Sequence, residues 1–274
     1  MEFRTHVSVA QPPFQIEPLE QMLFVGSCFA DSIGQRFVQE RFQAVVNPYG
    51  TMYNPASVCH TIERHLAEGS APRVIFITLG TNHVYRLKST GEIVDNCQKR
   101  PQRLFTEEEL SISEVVGYLE RAVSALLACR SDVQIVLTVS PIRYQKYGFH
   151  ESQLSKAVLL LAVDQFIKTA TLPVTASLHY FPAYELVLDE LRDYRFFQTD
   201  MLHPSAQAVD YIWEQLVAHY LSPRARQFLQ EWKPIREALA HRPFHPESEE
   251  YQHFLAKARQ QEAELIREFT IGLK

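Results

Sequence analysis

The chain has no long hydrophobic run, few cysteines and no surplus of positive charge, and each absence removes a class of function. No apolar stretch approaches the roughly 20 residues that a membrane-spanning helix requires, so no membrane span is expected. Cys28, Cys59, Cys97 and Cys129 are the only four cysteines and show no C-x-x-C spacing. They read as free thiols, with neither a zinc knuckle nor a disulfide framework. A net charge of -5 and a pI near 6.1 supply no electrostatic drive toward nucleic acid or anionic lipid. Residues 1–15 lack the apolar core and small-residue cleavage site of a signal peptide, which makes the cytoplasm the expected compartment. Internal repeats and low-complexity segments are missing too. His241 and His245 are four apart, but Pro243 between them breaks the helical pairing that a metal site would use. No metal or other cofactor is expected.

What is there suits one sizeable core, since 274 residues bury enough apolar surface for a main domain with appended helices. Met22 to Gly26 reads as a buried strand, and Phe29, Ile33 and Phe37 then recur at helical spacing, which puts Ser27 at a strand-to-helix turn. Two further apolar runs, Val74 to Leu79 and Gln134 to Val139, end at Gly80 and at Ser140-Pro141. Near-continuous runs of this kind suit parallel strands covered on both faces. Between them Thr106 and Glu109 are spaced as a capping box, followed by a stripe of Leu110, Val115, Leu119, Val123 and Leu126, and this predicts a helix. Val84 to Leu87 and Glu92 to Val94 flank Ser89-Thr90-Gly91 and predict a hairpin. Another amphipathic helix follows His203, with Ala206, Val209, Ile212, Trp213, Leu216 and Tyr220 on one face. The alternation is that of an α/β fold. From Pro223 onward the pattern is helical and charged, and the stripe Tyr251, Leu255, Ala258, Leu265 and Phe269 is expected to pack on the parent domain.

In open α/β sheets ligands bind beyond the carboxyl ends of the strands. Ser27, the Gly80-Thr81-Asn82 turn and Ser140 all fall at such ends. A serine nucleophile needs a base to take its proton and a carboxylate to orient that base, and Asp200 and His203, three residues apart, can supply both. The bland alternative is that Ser27 caps a helix and Asp200 to Pro204 merely starts another. Cys28 is the competing nucleophile, because a thiol at a helix N-terminus can be activated, although its side chain, one residue along, points elsewhere and small buried cysteines are commonly inert packing. His83, Arg143, His150 and Glu151 are weaker candidates for the rim of the crevice, and Ser152 or Ser155 for capping the helix that opens there. Arg192 and Arg195 beside Asp193 read as a surface ion-pair cluster.

Gly26-Ser27-Cys28-Phe29-Ala30 resembles the signature of the GSCFA family. The resemblance continues through Asn47 to Thr51, Tyr53 to Pro55, Leu79 to Thr81, Val139 to Pro141, Gln153 to Lys156 and Tyr180 to Ser205. Such proteins are similar to SGNH, or GDSL-type, hydrolases. The resemblance therefore implies a three-layer α/β/α, flavodoxin-like parallel sheet, with a catalytic domain over residues 1–222 and a C-terminal helical extension over 223–274 packed on it. It implies a serine esterase acting through an acyl-enzyme on a small-molecule or glycan ester. Ser27 would be the nucleophile, Asp200 and His203 the D-x-x-H of the last block, and the backbone of Ser27 and Gly50 with the side chain of Asn82 the oxyanion donors. The usual G-x-N-D reads Gly80-Thr81-Asn82-His83 here. Acyl transfer to a sugar or another alcohol, and a non-catalytic binding protein on the same fold, are the alternatives.

Overall fold

The three longest apolar runs become adjacent parallel strands, because only a site covered on both faces can hide every side chain of such a run. The structure, a computed structural model, describes residues 4–69 and 71–271. Strand β1 (Gln21–Gly26) leads into α1 (Cys28–Gln39), β2 (Gln43–Val46), α2 (Pro55–Ala67) and β3 (Val74–Leu79). An excursion of three short antiparallel strands follows, β4 (His83–Leu87), β5 (Ile93–Val94) and β6 (Phe105–Glu109). The main sheet resumes with α3 (Ile112–Cys129), β7 (Gln134–Val139), α4 (Phe149–Thr169) and β8 (Ser177–Tyr180). A short turn, α5 (Ala183–Glu185), runs into a π-helical stretch over Leu186–Leu191. Then come α6 (Ala206–Tyr220), α7 (Pro223–Ala240) and α8 (Glu249–Ile271).

The five-stranded sheet is parallel throughout, in the order β2-β1-β3-β7-β8. With the antiparallel excursion set aside, this is the flavodoxin-like order, and its direction of winding reverses between β1 and β3. Ser27 lies at that switch point. Alternate residues of β1 serve opposite layers: Leu23 and Val25 pack with α2, α3 and α4, and Met22 and Phe24 with α1 and α6. In the second layer Phe24 stacks on Phe76 at 4.8 Å between centroids, and Phe37 meets Trp213 edge-on at 4.8 Å. Full burial of each such ring contributes about 1.5–3 kcal/mol.

Two expectations about local structure are corrected. The Thr106/Glu109 capping box does not start a helix: both residues belong to β6, which pairs with β4 from Leu87↔Phe105 to His83↔Glu109. The helix begins at Ile112, where Ser111 and Glu114 form the capping box. The backbone partners offered by β4 outweigh a side-chain motif worth about 1 kcal/mol. Nor do Ser152 and Ser155 cap α4. Its N-cap is Gly148, while Ser152 Oγ accepts from Tyr144 N–H and Ser155 Oγ from Asn82 N–H.

Helices α7 and α8 form their own small core, in which Phe228, Trp232, Ile235, Leu265 and Phe269 enclose Leu19. Trp232 Nε1 donates to Gln39 O at 3.1 Å, and Arg236 pairs with the buried Glu40 at the end of α1. Of the C-terminal stripe, Ala258, Leu265 and Phe269 are buried, whereas Tyr251 and Leu255 are half-buried. No helix among the described residues is long and apolar enough to cross a membrane.

Candidate active site

Ser27 is fixed by what its neighbours lack and by what they donate. Gly26 has a φ of +139°, and a Cβ there would lie 2.0 Å from Thr78 O, so only glycine lets β1 run this close to β3 before the turn. Gly26 N–H donates to Asn47 Oδ1 at 2.9 Å. Asn47 Nδ2 in turn donates to Asp31 Oδ1 at 2.8 Å, and Thr51 Oγ1 to Asp31 Oδ2 at 2.9 Å. Ser27 N–H is shared between Thr78 Oγ1 at 3.0 Å and Thr78 O at 3.2 Å. The Ser27 side chain caps α1 by accepting from Phe29 N–H at 3.2 Å, donates to Ser140 Oγ at 2.8 Å, and lies 3.2 Å from Thr78 Oγ1. It is 0% exposed.

The Asp200/His203 pair is built locally. Asp200 Oδ1 accepts from the backbone N–H of Leu202 at 2.9 Å and of His203 at 3.1 Å, leaving Oδ2 to meet His203 Nδ1 at 2.6 Å. The two backbone donors, followed by the imidazole, hold the Asp200 carboxyl down at about 2. An ionised acceptor on Nδ1 puts the hydrogen of the neutral ring there and leaves the lone pair on Nε2. Arg143 ties this loop to the segment after β7, with N–H to Leu202 O at 3.0 Å and Nη1 to Met201 O at 3.1 Å. His203 keeps 36% of its side chain exposed and lines an open cleft of about 600 Å³ with Tyr53, Ile142, Arg143, Tyr144, Gln145, Lys146 and Leu202.

The structure thus brings Asp200 and His203 together. Ser27 is hydrogen-bonded to Thr78 and Ser140 and not to His203, and it does not line the cleft. The donors expected for an oxyanion are committed elsewhere. Gly50 N–H closes a turn onto Asn47 O at 2.9 Å at an exposed position, Ser27 N–H is taken by Thr78, and Asn82 Nδ2 donates to Leu110 O at 2.8 Å. Asn82 also accepts Leu110 N–H on its own carbonyl, so it fastens the turn after β3 to the end of β6. One uncommitted amide is supplied by the helix itself. Cys28 is the first residue of α1, and amides of the first turn have no intrahelical acceptor.

Cys28 Sγ sits 3.1 Å from Tyr53 Oη, half-buried. His83 stacks on Tyr147 at 3.8 Å, and burial lowers its pKa. Among the rim candidates, Arg143 reaches the cleft and His150 and Glu151 do not line it. Arg195 approaches Asp193 at 3.9 Å on the surface. Sequence reasoning missed Asp31, Thr78 and Lys156. Thr78 is one letter in an apolar run, and Asp31 one acid in the first turn of a helix, so neither carries a local signal of its contact with the turn.

A parallel α/β/α sheet of flavodoxin-like order, with a serine closing its first strand at the switch point, defines the class. The chain belongs to the GSCFA family, whose model matches residues 21–73 and 67–216. The model described as GSCFA domain protein, C-terminal domain, matches residues 232–270. No curated protein matches the sequence. Among solved structures the chain is similar to a carbohydrate esterase family 3 from Talaromyces cellulolyticus, at 10% identity and a TM-score of 0.43, covering 77% of this chain and 98% of that one. A mutant acetyl esterase with acetate ion matches at 10% identity and a TM-score of 0.45, over the same shares of the two chains. These likenesses are ones of fold.

Proposed function

We propose that the protein is a serine hydrolase of the SGNH type that cleaves an ester through an acyl-enzyme on Ser27. The observation that carries the reading is the 2.6 Å contact between Asp200 Oδ2 and His203 Nδ1, which orients the imidazole and leaves Nε2 as the acceptor beside a cleft. In the resting state the Ser27 hydroxyl points to Ser140. Attack requires Ser27 Oγ to turn from Ser140 toward the cleft, where His203 Nε2 takes its proton as the new C–O bond forms. His203 then returns that proton to the departing alcohol, and a water activated in the same way releases the acid. The backbone N–H of Cys28 at the positive end of α1 is the donor best placed in the chain to meet the oxyanion, one residue after the nucleophile. Residues 1–222 are read as the catalytic unit and 223–274 as its helical extension, working in the cytoplasm without a cofactor.

A second reading, transfer of the acyl group to a sugar or another alcohol, is favoured by the cleft. Tyrosine faces beside Arg143, Gln145 and Lys146 suit a hydroxylated partner better than a long acyl chain. Labelling by a fluorophosphonate probe with mass mapping tests the shared first step: the label belongs on Ser27, and a label on Cys28 overturns the assignment. Partition of a nitrophenyl ester between acid and transfer product, with alcohols added, decides between hydrolysis and transfer.

A further inference from the structure

Lys156 is 3% exposed, in the second turn of α4, and the proposed chemistry makes no use of it. Its ammonium donates to Gly80 O at 2.6 Å and to Ser140 O at 2.8 Å. These are the residues that immediately follow the adjacent strands β3 and β7. Both form the floor under the nucleophile. Ser140 Oγ receives the Ser27 hydroxyl at 2.8 Å, and Gly80 passes so near that a Cβ there would lie 3.4 Å from Ser27 Cβ. No carboxylate of the described residues neutralises the amine, and burial alone pushes it down to about 7. A buried, unpaired ammonium costs free energy that two carbonyl dipoles only partly offset, and a methionine of similar length would fill the space without that cost. A charged group buried at a net cost beside a candidate nucleophile points to a role in the chemistry.

Resting on the serine-hydrolase reading, we infer that Lys156 is a positioning residue for Ser27. It clamps the main chain at Gly80 and Ser140, holds the Ser140 hydroxyl against Ser27 Oγ, and sets a positive charge behind the oxygen that becomes negative during attack. Its action runs through Ser140, and it touches no substrate. Lys156 lies in Gln153 to Lys156, one of the family-like segments, where its spacing suggests only a helix start. Its partners are 16 and 76 residues away.

The test is the second-order rate of fluorophosphonate labelling at Ser27, read by intact mass and peptide mapping, in wild type, Lys156→Met, Ser140→Ala and the double variant, with a melting temperature for each. Expected is a Lys156→Met protein that melts no lower than wild type yet labels about tenfold or more slowly, the order of loss that a small misplacement of a reacting group produces. The double variant should be no slower than the slower single, because coupled residues are not additive. Labelling of Lys156→Met at the wild-type rate overturns the proposal, as does a lower melting temperature with an unchanged rate per folded molecule. Additive losses in the double variant overturn the route through Ser140. Should Lys156→Met fail to fold, Lys156→Gln, which keeps an amide donor without the charge, decides by the same rate. Wild type that takes no label at Ser27 is a separate result, and it removes the hydrolase reading and this one together.

Discussion

The two halves of the candidate site are built on opposite principles. Ser27 sits on a floor assembled from three distant segments, with Ser27 bonded to Thr78 and Ser140 and its neighbour Gly26 to Asn47, across 21 to 113 residues. It is fully buried and every polar atom is engaged. Asp200 and His203 form a rim made within four residues, half-exposed, with the carboxylate satisfied by the backbone of its own turn. A floor of long-range contacts is rigid because moving any member breaks bonds in another layer. A local turn can shift as a unit, held to the floor mainly by Arg143. On the proposed mechanism, this difference assigns the motion that would bring Ser27 and His203 into contact to the Ser27 rotamer and to the rim, rather than to the sheet.

Substitutions can break this comparison from either side. On the chemistry, Ser27→Ala should abolish ester cleavage and covalent labelling, and His203→Ala should lower kcat by about 10⁶-fold, the scale of losing a triad base. Asp200→Asn should cost about 10⁴-fold, because with the amide oxygen held by the Leu202 and His203 backbone the amide N–H faces Nδ1 and puts the ring in the wrong tautomer. Circular dichroism should show all three folded, since Asp200 and His203 lie on the half-exposed rim and Ser27→Ala removes only a hydroxyl. If His203→Ala kept most of its turnover, the rim would have no part in the reaction.

On the floor, Gly26→Ala forces a Cβ to within 2.0 Å of Thr78 O at a positive φ. A clash with backbone rather than with a flexible side chain belongs to the exceptional class above about 4 kcal/mol. The expected outcome is a chain that fails to refold after urea. The equivalent change on the rim, Met201→Gly at a φ of 59°, should leave stability within about 1 kcal/mol or raise it, which a urea melt of each protein would establish.

Asn82 sharpens the contrast, since its side-chain amide is bonded to Leu110 O rather than to Ser27. Asn82→Ala removes the bond to Leu110 O and should lower stability by about 1–3 kcal/mol. Turnover per active site, counted by burst titration, should stay near wild type, and a loss of about a hundredfold would restore Asn82 as an oxyanion donor.

A further effect expected is one of pH. The Lys156 amine is near 7 in the folded protein and near the reference value of about 10.4 when unfolded. Between those values unfolding takes up a proton, so the contribution of this group to stability is lowest below about pH 7 and rises as the pH climbs above it. Urea melts at pH 6.5 and 8.5 should show wild type gaining relative to Lys156→Met at the higher pH. A constant difference would mean that the amine is not desolvated.

Much of this arrangement was legible in the chain. The apolar runs announce β1, β3 and β7, and the hairpin, α1 and α6 read directly from their periodicity. Ser27 at the end of a strand and Asp200 three residues from His203 could be picked out as a pair because the motifs are short and local. The edge strands β2 and β8 went unread. They are four residues each, with only partial burial, so they carry neither a continuous apolar run nor enough length for alternation to show. The start of α3, expected at Thr106, was misplaced because pairing with β4 is invisible to a window of four residues.

Sequence alone determined the parallel α/β layers, the turn that carries Ser27, and the Asp200/His203 couple, since each rests on side-chain periodicity or on a bond closed within a few residues. Tertiary structure decided which donors are free and which are spent. Gly50, Asn82 and the Ser27 amide look available in the chain, and each is committed to Asn47, Leu110 or Thr78. It also decided that Lys156, an ordinary basic residue of a helix in the sequence, is buried under the nucleophile with two carbonyls for company. The physical reason is that a buried polar group must find its partner wherever the fold places one, and that partner is set by packing between layers rather than by anything written beside it in the chain.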